Sequence, residues 1–167
     1  MATDILKKTI LLIVFCLVQV LVCNQIHLFG YATPLIYVYF VILFQRNYPK
    51  WAILLWSFAL GLLIDVFSNI PGVAAGAMTF LAFLQPYILK PFIPRDSIDD
   101  LKPSFANLGI MKFSGYTLIC VVIYCLTFFS LEAFSFFNLQ QWLSNIGASA
   151  ALTLLLILII ENVRYRQ

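Results

Sequence analysis

The chain has 167 residues, 63% of them hydrophobic and 10% charged, with a formal net charge of +3. Soluble domains run at roughly 45–50% apolar and 25% charged, so this composition cannot cover a water-facing surface and predicts an all-α integral membrane protein. So small a positive balance gives no footprint for nucleic acid, and one polytopic membrane domain over residues 1–167 is the expectation at this length.

The first expected span is 9–25, behind Lys7 and Lys8. A basic start before an apolar run resembles a signal peptide, but no small-x-small cleavage site follows, so an uncleaved membrane helix is expected. Asn24, Gln25, His27 and Gly30 make a turn, and His27 reads as an interfacial polar residue. Cys23 and His27 share a helix face at i,i+4, but two ligands are too few for a metal site. A short second span, 34–45, opens with Pro34, which suits a first helical turn. Arg46, Asn47, Tyr48, Pro49 and Lys50 form a polar loop.

The third span is expected at 51–67 and the fourth at 73–89, with Ser68, Asn69, Pro71 and Gly72 breaking the chain between them. Residues 90–112 are the long polar loop, which serves as a solvated connector or docks a cytoplasmic protein. The fifth span is 113–131. A linker follows with Glu132 as a solvated acid, and Phe128, Phe129, Phe134, Phe136, Phe137 and Trp142 read as an aromatic belt or interfacial helix. The sixth span is 143–160. The four cysteines (Cys16, Cys23, Cys120, Cys125) all fall in apolar runs and read as small buried side chains rather than a disulfide framework.

Charge tests this count. The ten Lys and Arg all fall in the N-terminal tail, the 2–3 loop, the 4–5 loop or the C-terminal tail. Cytoplasmic loops carry the excess of positive residues, so six spans with both termini in the cytoplasm are expected, with Arg46 and Lys50 as topology determinants.

Asp65 is the one acidic or basic side chain between Lys50 and Lys90. Counted from Trp51 at ~1.5 Å per residue, it lies about 21 Å along its helix, in the outer part of the membrane. A carboxylate at a helix centre costs roughly 2.5–3.5 kcal/mol on insertion scales, so it needs a reason to be there. One reason is structural: it binds backbone N–H groups at the start of the fourth span, near Gly72, where the helix dipole favours an anion. The other is direct contact with a ligand or partner. Gly61 lies one turn before Asp65 on the same face, and Gly72 and Gly76 repeat the spacing, which lets membrane helices approach closely or dock a partner helix. Gly147, Ala148, Ala150 and Ala151 repeat that character in the sixth span.

Other chemistry is missing. The sequence holds no phosphate-binding Gly-rich loop, no His-Glu metal motif and no Gly-x-Ser-x-Gly nucleophile. No catalytic residue, cofactor or metal is expected.

Gly61-Leu-Leu-Ile-Asp65, the polar break, Pro71-Gly72 and the Ala-rich helix carrying Gly76 resemble the rod shape-determining protein MreD family, as does Pro34 opening the second span. The resemblance is specific over 61–80 and extends through length and span order elsewhere. It implies a non-catalytic membrane scaffold of the bacterial cell-wall elongation machinery, in the inner membrane. The implied partners are a single-span MreC protein, MreB, a SEDS-type glycosyltransferase and a penicillin-binding transpeptidase. It also implies a fold like the substrate-binding S components of energy-coupling-factor vitamin transporters. A vitamin-binding subunit is thus the alternative function, although span 9–25 lacks the alanines of the Ala-x-x-x-Ala motif those subunits present. Gly61, Asp65, Pro71, Gly72 and Gly76 are the candidate structural or partner-contact residues.

Overall fold

A computed structural model describes residues 2–21, 33–45, 47–70, 72–93, 103–133 and 139–166. Within them, all regular structure is helical: α1 Ala2–Leu21, α2 Val38–Ile42, α3 Lys50–Ser68, α4 Val73–Leu89, α5 Phe105–Leu108, α6 Ile110–Ala133 and α7 Leu139–Arg166. Four stretches are long and apolar enough to cross a membrane: Lys50–Ser68, Val73–Phe92, Ile110–Glu132 and Trp142–Arg166. Lys8–Leu21 is a shorter apolar helix, and span 9–25 runs beyond it into residues outside the described set.

The third and fourth helices lie where the sequence places them. The second segment does not. Instead of a helix over 34–45, the chain holds a five-residue helix, Val38–Ile42, every residue of it buried. The physical reason is length: so short a segment cannot cross ~30 Å of hydrocarbon as a helix, and non-helical backbone survives at that depth only inside protein. Side chains from neighbouring helices satisfy it. Gln19 Nε2 donates to the Pro34 carbonyl at 2.9 Å, the Thr33 N–H donates to Ser149 Oγ at 3.2 Å, and the Leu35 N–H donates to Thr153 Oγ1 at 3.0 Å.

α6 and α7 outrun their expected ends. α6 begins at Ile110, directly after Gly109, whose φ of 81° separates it from α5. α7 continues through the tail expected after residue 160, with Arg164 and Arg166 in its last turn, where cations suit the C-terminal dipole. Residues 134–138 of the aromatic linker, together with His27, Arg46 and 94–102, lie outside the described residues.

Side-chain contacts gather the basic segments at one end of the bundle. Lys8 Nζ of α1 sits 2.8 Å from the ring centroid of Tyr48, just before α3. Lys50 at the start of α3 and Lys90 after α4 both lie over Tyr87. Phe105 of α5 packs against Tyr165 near the end of α7. At the opposite end, Gly76 of α4 approaches Leu131 of α6.

The core between the helices is aromatic, with Tyr37, Phe40, Phe113, Tyr116 and Tyr124 buried. Cys16, Cys120 and Cys125 are buried free thiols. The outer faces carry Ile10, Ile13, Val14, Leu17, Leu55, Phe58, Leu62, Val66, Phe83, Leu155 and Ile159, all exposed. A surface of this kind faces hydrocarbon rather than water.

Candidate functional site: a carboxylate clasp in the α3–α4 hairpin

α3 ends because Asn69 turns left-handed, at φ 56° and ψ 33°. Asparagine tolerates that conformation better than most residues. The Asn69 N–H donates to the Asp65 carbonyl, and the Ile70 N–H reaches the same oxygen at 3.3 Å. This is the six-to-one closure of a Schellman-type helix end.

α4 begins at Gly72, whose φ of 87° suits glycine and leaves the helix no capping side chain of its own. Asp65 supplies one from seven residues upstream. Its Oδ2 accepts the Gly72 N–H at 3.1 Å and the Ala75 N–H at 2.8 Å, while Oδ1 accepts the Ala74 N–H at 2.8 Å. These are orphan donors of a helix N-terminus, and the anion also meets the positive end of the dipole. Asp65 therefore closes both helix ends, one with its main-chain carbonyl and the other with its carboxylate, and is only 5% exposed.

The reach of this contact depends on Gly61. An added Cβ there would lie 2.6 Å from Ala75 Cα and 2.8 Å from both the Ala74 oxygen and the Ala75 nitrogen. No real Cβ tolerates such contacts, so Gly61 is where the two backbones touch. That approach lets a side chain as short as aspartate span to the next helix.

The other glycines differ. A Cβ at Gly76 would meet Leu131 Cδ1 at 3.3 Å, a flexible side chain on α6. Gly147, Ala148 and Ala151 point outward, and a Cβ at Gly147 would meet nothing within 4 Å among the described residues. Gly147 thus makes no close helix contact of the kind seen at Gly61, while Ala150 packs partly against the core. Pro71 lies outside the described residues.

Beside the clasp runs an open groove of about 340 Å³, lined by Phe58, Leu62, Val66 and Asn69 along one face of α3 and its cap, and by Asp65, Gly72 and Ala75. Its walls are mostly apolar.

A second polar centre escapes sequence reading. Glu161, in the tail expected beyond the sixth span, is 2% exposed. One carboxylate oxygen accepts the Tyr39 hydroxyl and lies 3.6 Å from Arg164, and the other accepts the Phe105 N–H at 3.3 Å. It thereby joins α2, α5 and α7. Further in, Gln85 Nε2 donates to the Phe44 carbonyl at 3.3 Å and to the Tyr116 hydroxyl at 3.1 Å, and the Tyr37 and Tyr124 hydroxyls bond each other. The available signal was weak: single polar residues in apolar runs, without a partner visible in sequence. Glu132 is exposed at the end of α6. Among the described residues no group of three or more His, Cys, Asp or Glu could hold a metal.

Compared with known families, characterised proteins and solved structures, the chain has no match, so its functional reading rests on its own residues and their geometry.

Proposed function

We propose that this protein is a non-catalytic membrane scaffold of the bacterial cell-wall elongation machinery, acting in the manner of MreD proteins beside an MreC-like single-span partner. The observation that carries the reading is the clasp: Gly61 and Asp65 lock α3 to the N-terminus of α4 through the Gly72, Ala74 and Ala75 N–H groups. These are the residues of the Gly-x-x-x-Asp and Pro-Gly pattern on which the resemblance rests. With its charge bound by three backbone donors, Asp65 serves as a rigid structural tie between helices. The hairpin then presents a fixed outer face, with Phe58, Leu62 and Val66 exposed beside the groove.

In this reading the chain crosses the inner membrane six times with both termini in the cytoplasm, and its basic end faces that side. MreB, the SEDS-type glycosyltransferase and the transpeptidase are further partners of the assembly, and no enzyme chemistry is assigned to the chain itself.

The test is affinity purification from a rod-shaped bacterium after mild detergent extraction. An MreC-like protein is expected to co-purify with the parent. Val66→Trp fills the groove from its exposed wall and is expected to weaken recovery while thermal unfolding stays that of the parent, whereas Leu155→Trp on the outer face of α7 is not expected to weaken it. Failure of the folded parent to retain any elongation protein would overturn the scaffold reading. Equal recovery with Val66→Trp would remove the hairpin face from it.

A further inference from the structure

The basic end of the α3–α4 hairpin carries an arrangement that the scaffold reading does not use. Lys50 opens α3, and Lys90 follows α4, forty positions later in the chain. The hairpin brings both ammonium groups to one ring: Lys50 Nζ lies 5.1 Å and Lys90 Nζ 5.3 Å from the centroid of Tyr87. An aromatic face attracts a cation at such distances, which fixes both side chains around Tyr87. Both lysines are exposed, and among the described residues no carboxylate pairs with either. Both ammonium groups thus lie within 5.3 Å of one ring centroid.

The surroundings are amphipathic in a definite order. Trp51, next to Lys50, is 71% exposed, as a side chain at the headgroup level would be. One turn deeper on α4, Phe83 packs on Tyr87 with ring centroids 5.9 Å apart. Phe83 is 55% exposed, and Leu55, five residues into α3, is 60% exposed. Cations, then an aromatic ring, then an apolar track make the profile of a phospholipid, with the phosphate at the top and the acyl chain below.

We propose that Lys50, Lys90 and Tyr87 form a binding site for the phosphate of an anionic phospholipid, whose acyl chain lies along Phe83 and Leu55. Lysine serves as a point-charge phosphate ligand, and basic clefts between membrane helices recognise anionic headgroups by this chemistry. A free phosphate would use the same two ammonium groups but not the apolar track.

The test uses the full chain in bilayers, with Trp51 made the sole tryptophan by Trp56→Phe and Trp142→Phe. Phosphatidylglycerol is a minor component of phosphatidylcholine bilayers, and bromine is placed on the chains of one lipid or the other at equal mole fraction. Brominated phosphatidylglycerol is expected to quench Trp51 more strongly, with an enrichment of up to about fivefold for each lysine. Lys50→Gln with Lys90→Gln is expected to abolish the preference, and Tyr87→Leu to reduce it while keeping the apolar track. Equal quenching in the parent overturns the proposal, as does a preference that survives the double lysine change. Millimolar inorganic phosphate, at ionic strength matched with chloride, is expected to leave the preference in place. Its loss would assign the site to a soluble anion and overturn the lipid assignment.

Discussion

Replacing Asp65 by Asn tests the clasp with the smallest change of shape. Two N–H groups converge on one carboxylate oxygen, at 3.1 and 2.8 Å, and a third meets the other at 2.8 Å. Asparagine keeps one oxygen and turns the other position into a donor. If its oxygen keeps the two-donor place, the buried Ala74 N–H loses its acceptor, which costs about 1–3 kcal/mol. Loss of the negative charge beside the α4 N-terminus adds about 0.3–1 kcal/mol. The remaining bonds also weaken once they are no longer charge-assisted. Against this stands relief from burying a charge, worth at most the roughly 2.5–3.5 kcal/mol of the insertion scales and already reduced by three donors. The donors win, and a net loss of about 2 kcal/mol is expected. For a chain of this size each kcal/mol moves Tm by about 2–4 °C, so Asp65→Asn is expected to melt about 4–8 °C below the parent. Thermal unfolding in detergent, followed by near-UV circular dichroism, reads this directly. An unchanged or higher Tm would refute the clasp as a net stabilising contact.

Gly61→Ala is expected to destabilise by about 1–3 kcal/mol, because its Cβ would meet backbone that has no rotamer to move aside, whereas Gly147→Ala should be neutral or raise stability by up to ~1 kcal/mol. Similar melting of the two variants would contradict the close approach at Gly61. Glu161→Ala removes the acceptor of the Tyr39 hydroxyl and the Phe105 N–H, so limited proteolysis should cut residues 103–109 faster than in the parent, while Glu161→Gln should show a smaller effect. Equal cleavage of the Ala variant and the parent would argue against Glu161 as the anchor of that segment. A topology reporter inserted at 94–102 is expected to read cytoplasmic, and a periplasmic signal would break the six-crossing arrangement.

Much of the α3–α4 hairpin was legible in the sequence because its signals are local. Glycine one turn before an acid, a polar break and a glycine at the next helix start are features of a few consecutive residues, and backbone hydrogen-bonding demand at a helix end is a local quantity. Within 34–45 the helix is confined to Val38–Ile42, which the sequence does not signal because apolar runs look alike whether they face lipid or protein. Only its neighbours settle the matter: Gln19, Ser149 and Thr153 supply the partners that let backbone lie unwound there. Glu161 follows the expected sixth span, and its partners, Tyr39 and Phe105, are distant in sequence and give no sign of the contact there.

The sequence by itself determined that this chain belongs in a membrane, that its regular structure is helical, and that an acid in the third helix stands beside a glycine turn. Composition and hydrophobic run length dictate these, since water and lipid sort residues whatever the fold. Only the tertiary structure decided which small residues make backbone contact, Gly61 and not Gly147, and that the Asp65 carboxylate is fully engaged by the backbone of α4. It alone brought Lys50 and Lys90 to one ring. Those outcomes turn on how far helices approach and which ends meet, distances fixed by packing rather than by any residue's own preference.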